Sequence, residues 1–218
     1  MVKENLMNDK KHSLKKILAA LLIILPLAGC SQAPKEVDGQ PVRVVDTYLR
    51  QLLEINTDKE QQLYFRFKRQ PDPKEDSYII SAVAVLPSVL PDSALPDDKK
   101  YWLLNDKLVK DKKMSFELEL TYYGKDGKAQ PVGLWQYPEI GTLLKGEPYT
   151  GKKRFEGVFR ASRSHGLEEG YNGRMNGLAI FNPLEKGGYY HLSIRALQDY
   201  RNYPKMKLAV DIAPVVAK

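Results

Sequence analysis

The chain of 218 residues contains one cysteine and three histidines. A lone cysteine excludes a disulfide framework, and with it any multi-cysteine zinc cluster. Beyond the amino-terminal stretch only His165 and His191 remain, far apart and without a nearby cysteine or paired acids, so neither a metal nor a cofactor is expected. There is no Gly-x-Ser-x-Gly elbow, no phosphate loop and no dinucleotide fingerprint. No run of Lys and Arg exceeds three residues. The formal charge of +7 falls to about +4 without the first 29 residues, so nucleic acid is not an expected partner. After Leu27 no apolar run approaches the roughly 18 residues that a spanning helix needs.

The sequence does have a basic opening and a short apolar core. Lys10, Lys11, Lys15 and Lys16 precede the run Ile17–Leu27, and Leu27-Ala28-Gly29-Cys30 follows. Eleven apolar residues are too few for a permanent span, but they suit the central region of a secretory signal. The Leu-Ala-Gly-Cys ending resembles the lipobox of bacterial lipoproteins. The resemblance implies cleavage before Cys30, a diacylglycerol thioether on its sulfur and an acylated new amino terminus. Ser31, rather than Asp, implies the outer membrane with the domain facing the periplasm, or the outer face of the plasma membrane in a Gram-positive cell. Residues 1–29 are then a signal peptide, and residues 30–40 (CSQAPKEVDGQ) read as the lipidated Cys and a flexible tether. The domain proper spans 41–218.

Within that domain the hydrophobic period is two. Met114, Phe116, Leu118, Leu120 and Tyr122 alternate with Lys113, Ser115, Glu117, Glu119 and Thr121, and a Gly124–Gly127 turn follows. Met206, Leu208, Val210 and Ile212 alternate near the end. Phe155 and Phe159 share a face. Leu52–Asn56 and Gln62–Lys68 read as a hairpin through polar Thr57–Gln61. Val44, Val45, Tyr48, Leu49, Leu52 and Leu53 fit helical spacing, although Val42–Val44 could equally be a first strand. Tyr78–Leu86 is apolar throughout, either a buried strand or a short helix, and Pro87, Pro91 and Pro96 then break the chain.

Leu184, Gly187 and Tyr190, followed by alternating Leu192, Ile194 and Ala196, resemble the tyrosine-corner strand of fibronectin type III and immunoglobulin-like domains. Lys186 stands where that pattern usually has proline. The resemblance implies a Tyr190 hydroxyl that bonds back to the main chain, and a mainly-β fold. The expected architecture is an immunoglobulin-like antiparallel β-sandwich with a short helical or irregular insertion at about 75–112.

Catalytic residues are not assigned. Ser162, Ser164, His165 and Asp199 could furnish a hydrolase site only if the fold assembled them, and Glu117 with Glu119 reads as a solvated strand face. Binding loops are better represented. Trp135, Tyr137 and Tyr149 lie in a stretch rich in proline and glycine, as anchors of a partner or as a glycan-stacking platform. Arg160, Arg163, His165 and Arg174 could grip an anionic group or an acidic partner. These readings converge on a membrane-anchored, non-enzymatic binding lipoprotein with a protein partner in the periplasm. It would be an immunity-type protein that meets a toxin, or an envelope-assembly factor. A glycan-binding module and an anchored hydrolase are the alternatives.

Overall fold

The computed structural model describes residues 34–54, 59–87, 114–138, 146–163, 171–184, 187–198 and 207–215, with side chains at 86–87, 159–163 and 171–174 excepted. Cys30, the signal segment, residues 88–113, Ser164, His165 and Asp199 lie outside the described residues. The described part is all strand, without helix.

β1 (Glu36–Val37) and β2 (Gln40–Pro41) form a small hairpin. A front sheet comprises β3 (Arg43–Val45), β5 (Gln61–Phe67), β7 (Ser115–Tyr123), β8 (Ala129–Pro131), β10 (Lys153–Glu156) and β13 (Tyr189–Ala196). A back sheet comprises β4 (Leu49–Leu53), β6 (Tyr78–Pro87), β9 (Trp135–Gln136), β11 (Val158–Arg163), β12 (Tyr171–Phe181) and β14 (Lys207–Pro214). The front order is β10-β7-β13-β5-β3 with β8 also on β7, and the back order is β11-β12-β6-β14-β4 with β9 also on β12. Every pairing among the described residues is antiparallel except β3 with β5.

The protein is thus a mainly-β sandwich. Alternation puts Phe116, Leu118, Leu120, Leu192, Ile194 and Phe65 of the front sheet into one buried cluster with Ile80, Ala82, Leu208, Val210 and Ile212 of the back sheet. At about 1.5–3 kcal/mol for each fully buried large side chain, this core is the main stabilising term, and it needs no disulfide.

Several expectations need correction. The apolar run from Tyr78 is strand β6, central in the back sheet. Ile80 and Ala84 face the main core, while Val83 and Val85 join Met175 and Ala209 in a second buried cluster. A strand buried on both faces shows no alternation, which is why it could be taken for a helix. Because β6 belongs to the sandwich, an insertion cannot begin at 75. The stretch with helical spacing forms β3 and β4, in different sheets. The expected hairpin of Leu52–Asn56 with Gln62–Lys68 does not form, since β4 pairs with β14 and β5 with β13 and β3. Residues 36–41 are no free tether, because they fold as the β1–β2 hairpin. Finally, β14 lies in the back sheet, whereas the last strand of an immunoglobulin domain pairs beside the tyrosine strand.

Strands β8 to β11 close one side of the sandwich by alternating between sheets. β8 and β10 lie end to end along the outer edge of β7. β9 and β11 lie end to end along the outer edge of β12. The strand switches sheets at Gly157, whose N–H bonds to Met114 O at 2.6 Å.

Candidate functional site: the outer face of the front sheet

Because Tyr190, Leu192 and Ile194 point inward, Tyr189, His191, Ser193 and Arg195 must point outward. The same parity turns Gln62 and Tyr64 of β5, and Glu117, Glu119, Thr121 and Tyr123 of β7, to the same face. Direct cross-strand pairs follow from the register, with Tyr189 opposite Tyr123, His191 between Tyr64 and Thr121, and Ser193 between Gln62 and Glu119.

Four rings make a continuous strip. Tyr123 and Tyr189 stack at 4.9 Å with 5° between planes. Tyr64 lies 6.3 Å from Tyr189 and stacks on His191 at 4.6 Å and 11°. The β1–β2 hairpin covers the Tyr64 end, where the Tyr64 hydroxyl donates to Asp38 Oδ2 at 2.9 Å. Asp38 sits at φ 50° and Gly39 at φ 74°, the left-handed pair that turns the hairpin. Burial and then the Asp38 carboxylate push the Tyr64 phenol up to about 12. Burial also raises Tyr189 above its ordinary value.

A polar chain runs on from the strip. His191 Nε2 bonds to Gln62 Oε1, Gln62 Nε2 donates to Glu60 Oε1 at 3.0 Å, and Lys152 Nζ donates to Glu60 Oε2. With Gln62 Oε1 as acceptor, His191 carries its proton on Nε2 and leaves Nδ1 as an acceptor. Burial holds His191 below its ordinary pKa, so the ring is neutral at pH 7. The Lys152 ammonium, with Ser193 and Gln62, brings Glu60 down to about 2. At the far end Arg195 donates to Glu117 at 3.0 Å. Half-buried Glu119 sits among these groups and makes no ion pair or hydrogen bond with a described residue, and the same is true of the Tyr123 and Tyr189 hydroxyls. The face therefore offers a free carboxylate and two free hydroxyls beside the half-buried rings of Tyr123, Tyr189 and His191. Among the described residues no cluster of His, Cys, Asp and Glu could hold a metal ion.

The residues expected to bind fall elsewhere. Trp135, Tyr137 and Tyr149 all lie at the closing corner. Trp135 Nε1 donates to Gly146 O at 3.3 Å. Tyr137 is half-buried over Gly177, where a Cβ would sit 2.5 Å from its ring. Tyr149 is the exposed one of the three, with its edge to Phe155 and Lys153 Nζ 4.5 Å over its ring. Each ring thus braces the corner at a different place. Arg160 and Arg163 fall on β11 and Arg174 on β12, where Ser162 pairs with Arg174 and Arg163 with Gly173. Their side chains, like His165, lie outside the described residues. Tyr190 accepts a 2.9 Å bond from Leu184 N–H, a bond of the tyrosine-corner kind, next to Gly187 at φ 92°.

Sequence reasoning missed Tyr64, Tyr123 and Tyr189 as a group. The signal was present in the alternation, since the complement of the core-facing set is this strip. Which strands lie side by side was not readable locally. No protein-family model, curated protein or solved structure gives a match to this chain.

Proposed function

We propose that the chain is a lipid-anchored, non-catalytic binding protein of the bacterial envelope, held by Cys30 at the outer membrane, that takes a protein partner in the periplasm on the outer face of its front sheet. The anchor rests on the lipobox-like Leu27–Cys30. The binding role rests on one observation: the Tyr123–Tyr189 stack stands on a solvent-facing sheet beside Glu119 and Thr121. Tyrosine, histidine and arginine on a flat face suit a protein interface, where aromatic anchors carry most of the affinity. Strands β5, β7 and β13 of seven to nine residues, flanked by the shorter β3 and β10, give at about 3.3 Å per residue and about 4.8 Å between strands a face of roughly 500 Å². That is the larger part of the ~800 Å² which each partner buries in a standard interface. An immunity role against a periplasmic toxin fits this arrangement, as does an assembly role with an envelope component.

A photo-crosslinking residue at Thr121 in living cells, followed by purification and mass spectrometry, tests the reading. One stoichiometric protein adduct, lost when Tyr123 and Tyr189 are both changed to Ala, is the expected result. Adducts that survive that double change, or none at all, would overturn it.

A further inference from the structure

Among the described residues the outer edges of β7 and β12 carry short strands in tandem, whereas those of β14 and β5 carry one each. The outer edge of β7 carries β10 on residues 115–118 and β8 on residues 121–123. The outer edge of β12 carries β11 on residues 173–177 and β9 on residues 179–180. The outer edge of β5 carries β3 on residues 65–67 and, among the described residues, no paired strand on residues 61–64, where Gln40 and Pro41 of β2 line a groove alongside.

That open half is a strand edge with free peptide groups. Lys68 N–H reaches Val45 O at 2.8 Å, so even-numbered residues of β5 turn their peptide groups toward β3. The parity is consistent across the sheet, since Val132 N–H reaches Leu120 O on the opposite side of β7. The Tyr64 C=O is taken up by Arg43 N–H at the end of the β3–β5 ladder, while the Tyr64 N–H and both peptide groups of Gln62 face the open edge and have no hydrogen-bond partner among the described residues. Edge groups of this kind template the addition of another strand.

A groove of about 420 Å³ lies at this place, within the roughly 300–1,000 Å³ range of ligand clefts. Its floor is apolar, from Leu53, Leu63 and Ile194, and Leu52 stands 53% exposed on its wall. Tyr48 and Val44 are exposed alongside in sequence. Gln61 holds the end of the groove by bonding both backbone groups of Glu54. The rim charges are mostly spent, because Lys59 pairs with Glu54 and Lys152 with Glu60. Arg43 is the exception: it is exposed and has no ion pair among the described residues.

We infer that this groove takes an extended peptide segment of the partner protein, which adds to β5 as a strand in line with β3. The inference rests on the reading of the chain as a partner-binding protein and gives that reading a second point of contact. Backbone bonds to Gln62 and Tyr64 supply the register. An apolar side chain of the segment fills the space over Leu53 and Leu63, and a carboxylate of the segment meets Arg43. Affinity from main-chain pairing with specificity from alternate side chains is the usual logic of strand addition.

The test uses the full-length chain in detergent and a phage-displayed library of random dodecapeptides. The expected selection is a set of proline-free cores that combine an apolar residue with Asp or Glu. A synthetic peptide of the best sequence should slow hydrogen exchange at the Gln62 and Tyr64 amides. N-methylation of its central amides should weaken binding at least tenfold, and Arg43→Glu should weaken it similarly while favouring Lys-bearing peptides. A selection that enriches nothing overturns the inference. So do peptides that bind Arg43→Glu equally well and leave both amides unprotected. Peptide binding without any cellular adduct at Thr121 would leave the groove standing and remove the proposed function, and the reverse outcome would do the opposite.

Discussion

The carboxamide of Gln136 pairs with the main chain of Glu156 as a peptide group would. Its Nε2 donates to Glu156 O at 2.7 Å, and its Oε1 accepts from Glu156 N–H at 3.1 Å. Nε2 also lies 3.2 Å from Leu178 O, so one side chain on β9 ties β10 of the front sheet to β12 of the back sheet. Gln61 does the same for Glu54 on the opposite side, with bonds of 2.5 and 2.9 Å. Both clasps sit where edge strands of the two sheets face each other and no backbone ladder can form. Gln136→Ala is expected to cost about 1–2 kcal/mol, since each net bond contributes about 0.5–1.5 and the site is exposed. At this chain length a loss of 1 kcal/mol lowers the melting temperature by about 2–4 °C. Gln136→Glu should be no better, because it loses both donated bonds and aims a charge at carbonyl oxygens. A melting curve unchanged in either variant would refute the clasp.

Tyr190 combines a hydroxyl bond to Leu184 N–H with ring contacts in the core, including a stacked Phe65 at 5.1 Å. Tyr190→Phe keeps the rings and removes only the bond. The expected loss is about 1–2 kcal/mol, the cost of leaving a part-buried N–H unpaired. Tyr190→Ala should cost about 3–5 kcal/mol through the cavity. Urea unfolding of both variants separates the two terms, and a Tyr190→Phe variant as stable as the parent would show that the hydroxyl contributes nothing.

Arg50 and Asp211 form a forked pair across β4 and β14, with both bonds at 2.6 Å and side chains only 11% and 4% exposed. Removing one member of such a pair strands the other charge in a dry place. Asp211→Ala is expected to cost about 3–5 kcal/mol. Replacing both, as Arg50→Met with Asp211→Leu, should recover most of that loss. Denaturant midpoints for the two variants decide the matter, and a double variant as weak as the single would contradict this account.

The sequence carried the half-buried strands well. β7 was readable because one face of it is polar, β14 because Lys207 and Asp211 interrupt its apolar residues, and Tyr190 because its Leu and Gly companions are spaced in a recognisable way. β6 was ambiguous because both its faces are buried, so no alternation betrays a strand. The false hairpin at Leu52–Lys68 has a different cause. Two neighbouring strands look alike locally whether they pair in one sheet or face each other across the core, and here Gln61 and Glu54 make the link between sheets. The tyrosine strip was hidden for the same reason, since Tyr64, Tyr123 and Tyr189 become neighbours only through the order β7-β13-β5. The open half of β5 is a property of its partners, so no feature of β5 itself reveals it.

Stability should fall at both ends of the pH scale, through groups on the front sheet. Burial lowers the His191 pKa in the folded protein, so the unfolded chain takes up protons first as pH falls. Its contribution is complete above the ordinary value of 6.5 and declines below it. Glu60 adds a second loss between 4.5 and about 2, as its bonds to Lys152, Ser193 and Gln62 are broken by protonation. Both groups sit partly in water, so salt and solvent reduce each effect. At the alkaline end the sign reverses. The raised Tyr64 phenol contributes fully below pH 10, and that contribution is lost as pH climbs toward about 12. Melting temperatures from pH 3 to 11 for the parent, His191→Gln and Tyr64→Phe resolve the three. His191→Gln should flatten the step below pH 6.5 and leave the others in place. Tyr64→Phe should flatten only the alkaline limb. A parent profile level between pH 5 and 7 would show that His191 is not buried as described.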